Sequence, residues 1–492
     1  MSKATRKKDT FIILSVFIGN FLAFLNSGTI NIALPTIMND FQTQITSVQW
    51  IMTGFLLAIG IISPIAGYIG NKIGFKKLYL YSLIGLTLSS ALCSYSWNIG
   101  SLIIFRILQG VCAGCIQIAT LTIIYESIEK VKQPLAISYW TVSMVFAPAV
   151  GPTLGGLIIH YWGWEALFFS NVPIGLIATI FAFLFLPAQQ KAKSISLDKL
   201  GLITIVIGNV SILLYITNGY YLGWLSGTAI VLLLFGIVGF ATFIWRELTV
   251  KEPLLNLRVF KHTKFAIGTI VNCLLAIGLY SSVYLIPLFM EEVQGISPSI
   301  VGLVMLPGAL IMMLVSIITG KIHDKLDPSW FILVGTVLVS FATWEFSELK
   351  LDSSIASITF WMIVRYFGLG LATSPVTTLS MRDIPIELVG HATSITNWLR
   401  QAVTALSITI FSLILTIRTQ THLSELNRDT SEEAIKETAF LFGTNDTFLI
   451  ATIVLICAIP LSLLLKTSTQ KTQQLYKGHE LLKRNLQNKR QK

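Results

Sequence analysis

Charge is what this sequence has least of. Lys, Arg, Asp and Glu make up 12% of its 492 residues, where a water-soluble chain carries roughly a quarter. With 54% hydrophobic residues and a mean hydropathy of +0.74, this excludes a soluble globular enzyme and a disordered chain. Cysteine is also scarce. The five cysteines (Cys93, Cys112, Cys115, Cys273 and Cys457) all sit in apolar stretches, which excludes a disulfide scaffold. Cys112 and Cys115 form a CxxC, but inside an apolar run, so they read as small packing residues. The six histidines are scattered without metal-ligand spacing, and neither a metal nor another cofactor is expected. No apolar stretch holds a His/Asp/Glu cluster, which argues against a membrane enzyme.

What is abundant is long apolar sequence. A bilayer core needs about 20 apolar residues of helix. Fourteen stretches meet that need, near 11–37, 49–70, 78–97, 101–126, 135–160, 167–187, 198–218, 226–246, 264–289, 299–322, 329–347, 353–378, 389–417 and 445–466. The first follows Lys3, Arg6, Lys7 and Lys8, is too long for a signal peptide, and reads as an uncleaved first helix. With the N-terminus in the cytoplasm, inside segments hold 28 of the 35 Lys and Arg and outside loops hold four. That split predicts an even span count with both termini cytoplasmic. It also accounts for the net charge of +11: these cations meet anionic lipid, and no nucleic acid is expected. Residues 418–444 are expected as an outside loop with a short capped helix, and 467–492 as a basic cytoplasmic tail.

A duplication shows in two places. Gly67 to Lys72 closes the second span and Gly320 to Lys325 the tenth, 253 residues apart; Arg106 in the fourth and Arg365 in the twelfth are 259 apart. The order predicts an all-α membrane protein of 14 transmembrane helices. Two six-helix halves, 1–190 and 251–466, would flank two inserted helices in 191–250. Repeats of this kind bind a substrate between the halves near the midplane.

The motifs support this architecture. The run from Gly67 through Asn71, Lys72, Gly74 and Lys76 to Lys77 is similar to the signature between helices two and three of the major facilitator superfamily. Arg106 to Gly110 resembles its helix-four signature, and Gly151 to Gly156 its helix-five antiporter signature. Asn26 to Pro35 is similar to the helix-one pattern. Asn171 to Gly175 and Pro253 to Arg258 resemble the 14-span drug:proton antiporters. The resemblance implies a monomeric secondary transporter in the bacterial cell membrane. It would export amphipathic drugs or toxic compounds by alternating access, with protons as the coupled ion. The chain departs from the family at Asn26 and Asn71, where an acid is usual, at Glu165, where Arg is common, and at Ser138 and Ala147, where glycines open the helix-five signature.

Physical readings accompany the motifs. Ala147, Gly151 and Gly155 fall on one face, with Gly156 beside them, so two backbones can approach closely there. Pro148 and Pro152 remove backbone donors; together these predict a pivot. Arg106, Gly110, Ala113 and Gln117 share a stripe within about 40°, which turns the arginine toward a wet cavity. Arg365 and Arg400 invite the same argument. Asn397, Gln401 and Thr404 form a second polar stripe with Trp398 alongside, and Asn26 and Asn31 are the polar candidates of span one. Gly67, Asn71, Lys72, Gly74 and Lys76, with Gly320, Asp324 and Lys325, are expected as inside-gate loops. No acid lies near mid-membrane, and Glu126 and Glu345 are left as proton carriers. Two alternatives stay open: export of a neutral, anionic or lipid-like solute with atypical coupling, and a transport-inactive membrane scaffold or sensor.

Overall fold

The structure is a computed structural model and describes residues 3–43, 45–187, 198–322, 327–426 and 432–465. Its helices are α1 Lys3–Gly28, α2 Ile30–Asp40, α3 Ile45–Ile73, α4 Phe75–Ser94, α5 Ile99–Ser127, α6 Gln133–Phe169, α7 Asn171–Phe185, α8 Lys199–Leu222, α9 Gly227–Thr249, α10 Thr263–Glu292, α11 Pro298–Ile322, α12 Pro328–Glu345, α13 Ile355–Met381, α14 Val389–Glu425, α15 Glu432–Ile456 and α16 Ala458–Leu464. The protein is an all-α membrane protein. Large apolar side chains such as Leu88, Phe183, Phe235, Trp245 and Phe360 are exposed on the bundle's outer surface, a surface that suits lipid rather than water.

Local chemistry sets the breaks. Asn98 and Ser101 form a reciprocal capping box that starts α5. Gly74 turns α3 into α4 at φ 92°, a left-handed conformation that costs glycine nothing. Gly163, at φ 81°, interrupts α6. Through Pro148 and Pro152 the backbone of α6 stays helical, so the interruption falls at the glycine and not at the prolines.

The fourteen expected ranges fall mainly on helix. Twelve helical stretches among the described residues are long and apolar enough to cross a bilayer. Phe75–Ser94 and the 133–160 part of α6 are not among the twelve; the former carries Lys76 and Lys77 in its first turn and a row of hydroxyl residues. Two expectations change. The first range, 11–37, is two helices broken at Thr29. Most of 418–444 is helix rather than loop: α14 continues to Glu425 and α15 begins at Glu432. Asp446 ties the two extensions together, accepting from Arg418 Nε at 2.6 Å and lying 2.8 Å from His422 Nε2. Asp324, Lys325 and the basic tail 467–492 lie outside the described residues.

Two groups of seven helices pack within themselves, α1–α7 and α10–α16. They meet along α6 with α11 and α3 with α14. Under the sequence repeat, α3 corresponds to α11 and α6 to α14, so the seam consists of one contact used twice. The inserted pair α8–α9 packs on itself and touches α14 and α3.

Candidate transport site

A cavity of about 730 Å³, its open mouth included, lies between the halves. Its wall is mostly apolar, with Met144, Leu275, Met312 and Leu369, and no Asp, Glu or Lys among the described residues lines it. The polar part of the lining includes Gln117 from α5, Asn272 from α10, and Asn397 and Arg400 from α14. Arg400 Nη2 donates to Asn397 Oδ1 at 2.6 Å and to Gln117 Oε1 at 3.2 Å. Gln401 Nε2 donates to the same Gln117 oxygen at 3.1 Å. The Arg400 guanidinium also stands 5.4 Å from the Phe24 ring centre, a geometry in which a ring face offsets positive charge. Asn272 Nδ2 and Thr396 Oγ1 are buried there without a hydrogen-bond partner.

The structure brings Gln117, Asn397 and Gln401 together and leaves Arg106 and Asn26 elsewhere. Arg106 is 1% exposed. It donates to Ile51 O at 3.3 Å, to Gln109 Oε1 at 2.6 Å and to Asn26 O at 3.3 Å, and lies 4.1 Å over the Phe55 ring. Asn26 Oδ1 accepts from Gln109 at 3.1 Å and from Asn171 at 2.8 Å. The predicted stripe on α5 is real, but its outer part faces α3: a Cβ on Gly110 would stand 2.5 Å from Phe55 O. Only at Gln117 does the stripe reach the cavity. Arg106 and Asn26 are therefore members of a closed network joining α1, α3, α5 and α7, not cavity walls. Trp398 also points away, donating to Asn209 on α8 at 3.3 Å and packing on Phe240 and Phe243 of α9. Asn31 lies in α2. Arg365 is buried in the second half, donating to Gly278 O and, at 2.7 Å, to Ser281 Oγ.

Among the described residues, the hydrogen bonds between the halves gather toward one end of the bundle. Thr122 and Thr393 hydroxyls are 2.7 Å apart, and Ser138 and Ser374 hydroxyls 2.8 Å. Tyr125 OH donates to Thr377 O at 3.2 Å, and Asn397 Nδ2 to Ser63 Oγ at 3.1 Å. Gly67 packs onto Gly390 and Ser394, and Gly320 onto Pro134 and Ser138, so closely that a Cβ at either would overlap the serine hydroxyl. Asn71 Oδ1 sits 2.9 Å from where a Cβ on Gly390 would lie, at the first turn of α14. Lys72 Nζ donates to Tyr68 OH at 3.4 Å, and Lys76 Nζ to Leu186 O at 2.5 Å.

In α6, Ala147, Gly151 and Gly155 are buried. A Cβ on Gly155 would meet Thr29 O at 3.2 Å, at the break between α1 and α2, while Gly156 has open space beside it. Pro152 lies inside this helical stretch. Glu126 is exposed and Glu345 half-buried; neither lines the cavity. Sequence reasoning ranked Arg400 behind Arg106, although its spacing of three from Asn397 was the signal that places it in the polar stripe.

The model of the Major Facilitator Superfamily matches residues 16–408. The chain belongs to that superfamily. As a member of this transporter superfamily it is a transport protein and not an enzyme. It is 27% identical to the lincomycin resistance protein LmrB of Bacillus subtilis (strain 168), over 91% of this chain and 94% of that protein. It is 27% identical to the multidrug export protein EmrB of Escherichia coli (strain K12), over 84% of this chain and 81% of that protein. In fold it is similar to the crystal structure of the human organic anion transporter MFSD10 (TETRAN), with a TM-score of 0.65, 13% identity, and coverage of 91% of this chain and 99% of that one. As a superfamily member with two packed halves, the chain carries its cavity where those halves meet.

Proposed function

We propose that this protein exports amphipathic, growth-inhibiting compounds across the bacterial cell membrane by alternating access coupled to protons, and that it prefers anionic and neutral compounds to cationic ones. The observation that carries the charge preference is the cavity lining: among the described residues it holds one arginine, Arg400, and no acid, in a wall whose other polar groups are neutral. A cation entering that site would meet positive charge without a compensating carboxylate, which is unfavourable at low dielectric. The likeness to LmrB and EmrB supports a drug or antibiotic as cargo. The Lys and Arg split supports a 14-span topology with both termini cytoplasmic. The end that holds the hydrogen bonds between the halves is then the cytoplasmic end, and the conformation described is the one closed to the inside. Proton coupling enters from the family; of the suggested carriers, Glu126 and Glu345 would act from outside the cavity.

The test is transport in everted membrane vesicles with and without a proton gradient, using laurate, dodecanol and dodecyltrimethylammonium, which share one tail. The expected result is gradient-stimulated transport of the first two and little of the third. Dominant transport of the cation would overturn the charge preference, and transport indifferent to the gradient would overturn the coupling.

A further inference from the structure

The fully buried acid among the described residues is not in the transport cavity but in the last turn of α9. Glu247 is 0% exposed. Its Oε2 accepts the backbone N–H of Leu255 at 2.8 Å, and its Oε1 has no hydrogen-bond partner. Oε1 is pressed toward Gly201 on α8, where a Cβ would stand 2.6 Å from it and 2.9 Å from Asp198 Oδ2. Asp198 is already committed. It accepts from Gly201 N at 3.1 Å, capping α8, and pairs with Arg246 Nε at 3.1 Å. The Arg246 guanidinium thus pairs with Asp198, and Glu247 beside that pair keeps one buried carboxylate oxygen without a partner. The other charged groups of these elements are further out. Arg258 is exposed and donates to Leu248 O at 3.2 Å; Lys199, Lys251 and Glu252 are exposed.

The group that Glu247 holds leads directly to the gate. On either side of Leu255, Leu254 O lies 3.2 Å and Asn256 N lies 3.4 Å from His391 Nδ1. His391 is in the first turn of α14. Its neighbour Gly390 packs against Asn71 and Phe75, and Thr393 bonds Thr122 across the seam. The path from the acid to the seam is therefore Glu247, the 253–256 linker, His391 and the start of α14.

We infer that Glu247 is a proton-binding site that controls this gate. Ionised, it grips the Leu255 N–H with a charge-assisted bond and holds the linker against α14. A proton taken from solvent at that end onto Oε1 removes the charge, weakens the bond to Leu255, and frees α14 to leave the seam. A hydrogen bond to an ionised acceptor is roughly twice as strong as a neutral one, so protonation changes the grip without removing a contact. The gate is then tightest when Glu247 is ionised and loosens as pH falls. This inference rests on reading the seam contacts as a gate; it requires neither the proposed cargo nor proton-driven export.

The test is oxidative crosslinking of a Thr122→Cys/Thr393→Cys pair in the full-length protein in liposomes, read from pH 5 to pH 8. With Glu247 present, crosslinking should fall at least threefold on acidification. Glu247→Gln should give the low yield at every pH, and Glu247→Asp should restore a pH response. Leu255→Pro, which removes the N–H and leaves the acid, should give the low yield as well, and does not depend on how the Gln variant folds. A pH response unchanged in Glu247→Gln would overturn the proposal. So would a response that disappears in His391→Gln and persists in Glu247→Gln, because the histidine would then be the titrating group. Failure of vesicle transport with an intact crosslinking response would count against the export reading alone.

Discussion

Gly67 on α3 lies so close to Ser394 on α14 that a Cβ at the glycine would overlap the serine hydroxyl. Gly320 on α11 meets Ser138 on α6 in the same way. Gly67 and Gly320 are 253 residues apart and Ser138 and Ser394 are 256 apart, so the two contacts are copies related by the internal repeat. Each places a glycine of one half against a serine of the other. A gate built from two such copies closes by backbone approach, and small volume changes are felt there at once.

Gly67→Ala should therefore disfavour the closed seam. Overpacking costs about 1–3 kcal/mol, roughly a fivefold to hundredfold loss of the closed population. Ser394→Ala alone should be nearly neutral, since that hydroxyl bonds only to Gly390 O of its own helix, at 2.9 Å. The pair Gly67→Ala/Ser394→Ala should recover most of the loss, because the new methyl takes the space the hydroxyl leaves. Crosslinking across Thr122 and Thr393 measures all three. Loss that is merely additive in the double variant would mean that the backbone at Gly390, not the hydroxyl, limits the approach.

The architecture was largely legible because a lipid solvent demands long apolar helices, and such runs are visible without any tertiary information. The repeat was legible too, since glycine contacts and buried arginines recur at matching offsets. Side-chain direction was not. A stripe on α5 says which residues share a face but not what that face meets, and Arg106 turned out to face Phe55 and Asn26 rather than the cavity. Glu247 was invisible for a related reason. Its significance depends on Asp198 and Leu255, and a residue at a span end carries no sign of what folds back over it. The stretch 418–444 read as loop because it is polar, yet Arg418, His422 and Asp446 satisfy one another and let the helices continue.

Asn71→Asp should tighten the same gate. Asn71 Oδ1 sits beside Gly390 in the first turn of α14, where the unpaired N–H groups of a helix start favour negative charge. A carboxylate there contributes roughly 0.3–1 kcal/mol more than the amide. Crosslinking across the seam should rise, and transport should slow if opening limits it. No change in yield would mean that position 71 does not feel the α14 terminus.

Arg106→Ala should fail as a folding lesion rather than as a selective transport defect. The guanidinium is buried and donates to α1, α3 and α5 groups at once; truncation leaves those three buried acceptors without a donor, at about 1–3 kcal/mol each. Thermal unfolding of the purified protein should fall sharply. Asn26→Asp would place its charge in the same closed network. Substrate preference should therefore stay as it was, against the simpler expectation that an acid in span one recruits cations. A clear gain of cation transport in Asn26→Asp would mean that the network opens to the cavity during the cycle.

Arg400 is where substrate charge should be read. It is the cation in the cavity wall, held by Asn397 and Gln117 at 2.6 and 3.2 Å, and Asn272 adds an unpartnered donor to the same wall. Arg400 presents N–H groups and no acceptor, and Asn272 adds an unpartnered amide N–H, so the complementary ligand brings acceptors or negative charge. Arg400→Gln keeps a donor of shorter reach and removes the charge. A hydrogen bond to a charged group contributes about 1.5–3 kcal/mol, so laurate transport should weaken roughly tenfold to a hundredfold. Dodecanol, which uses the apolar wall and a neutral hydroxyl, should change little. Dodecyltrimethylammonium should improve, because the repulsion is gone. The comparison within one tail length separates head-group recognition from general damage to the helix, since damage would lower all three together. If laurate and dodecanol fall equally in Arg400→Gln, the arginine supports the cavity's shape through Gln117 and Asn397 and does not read charge.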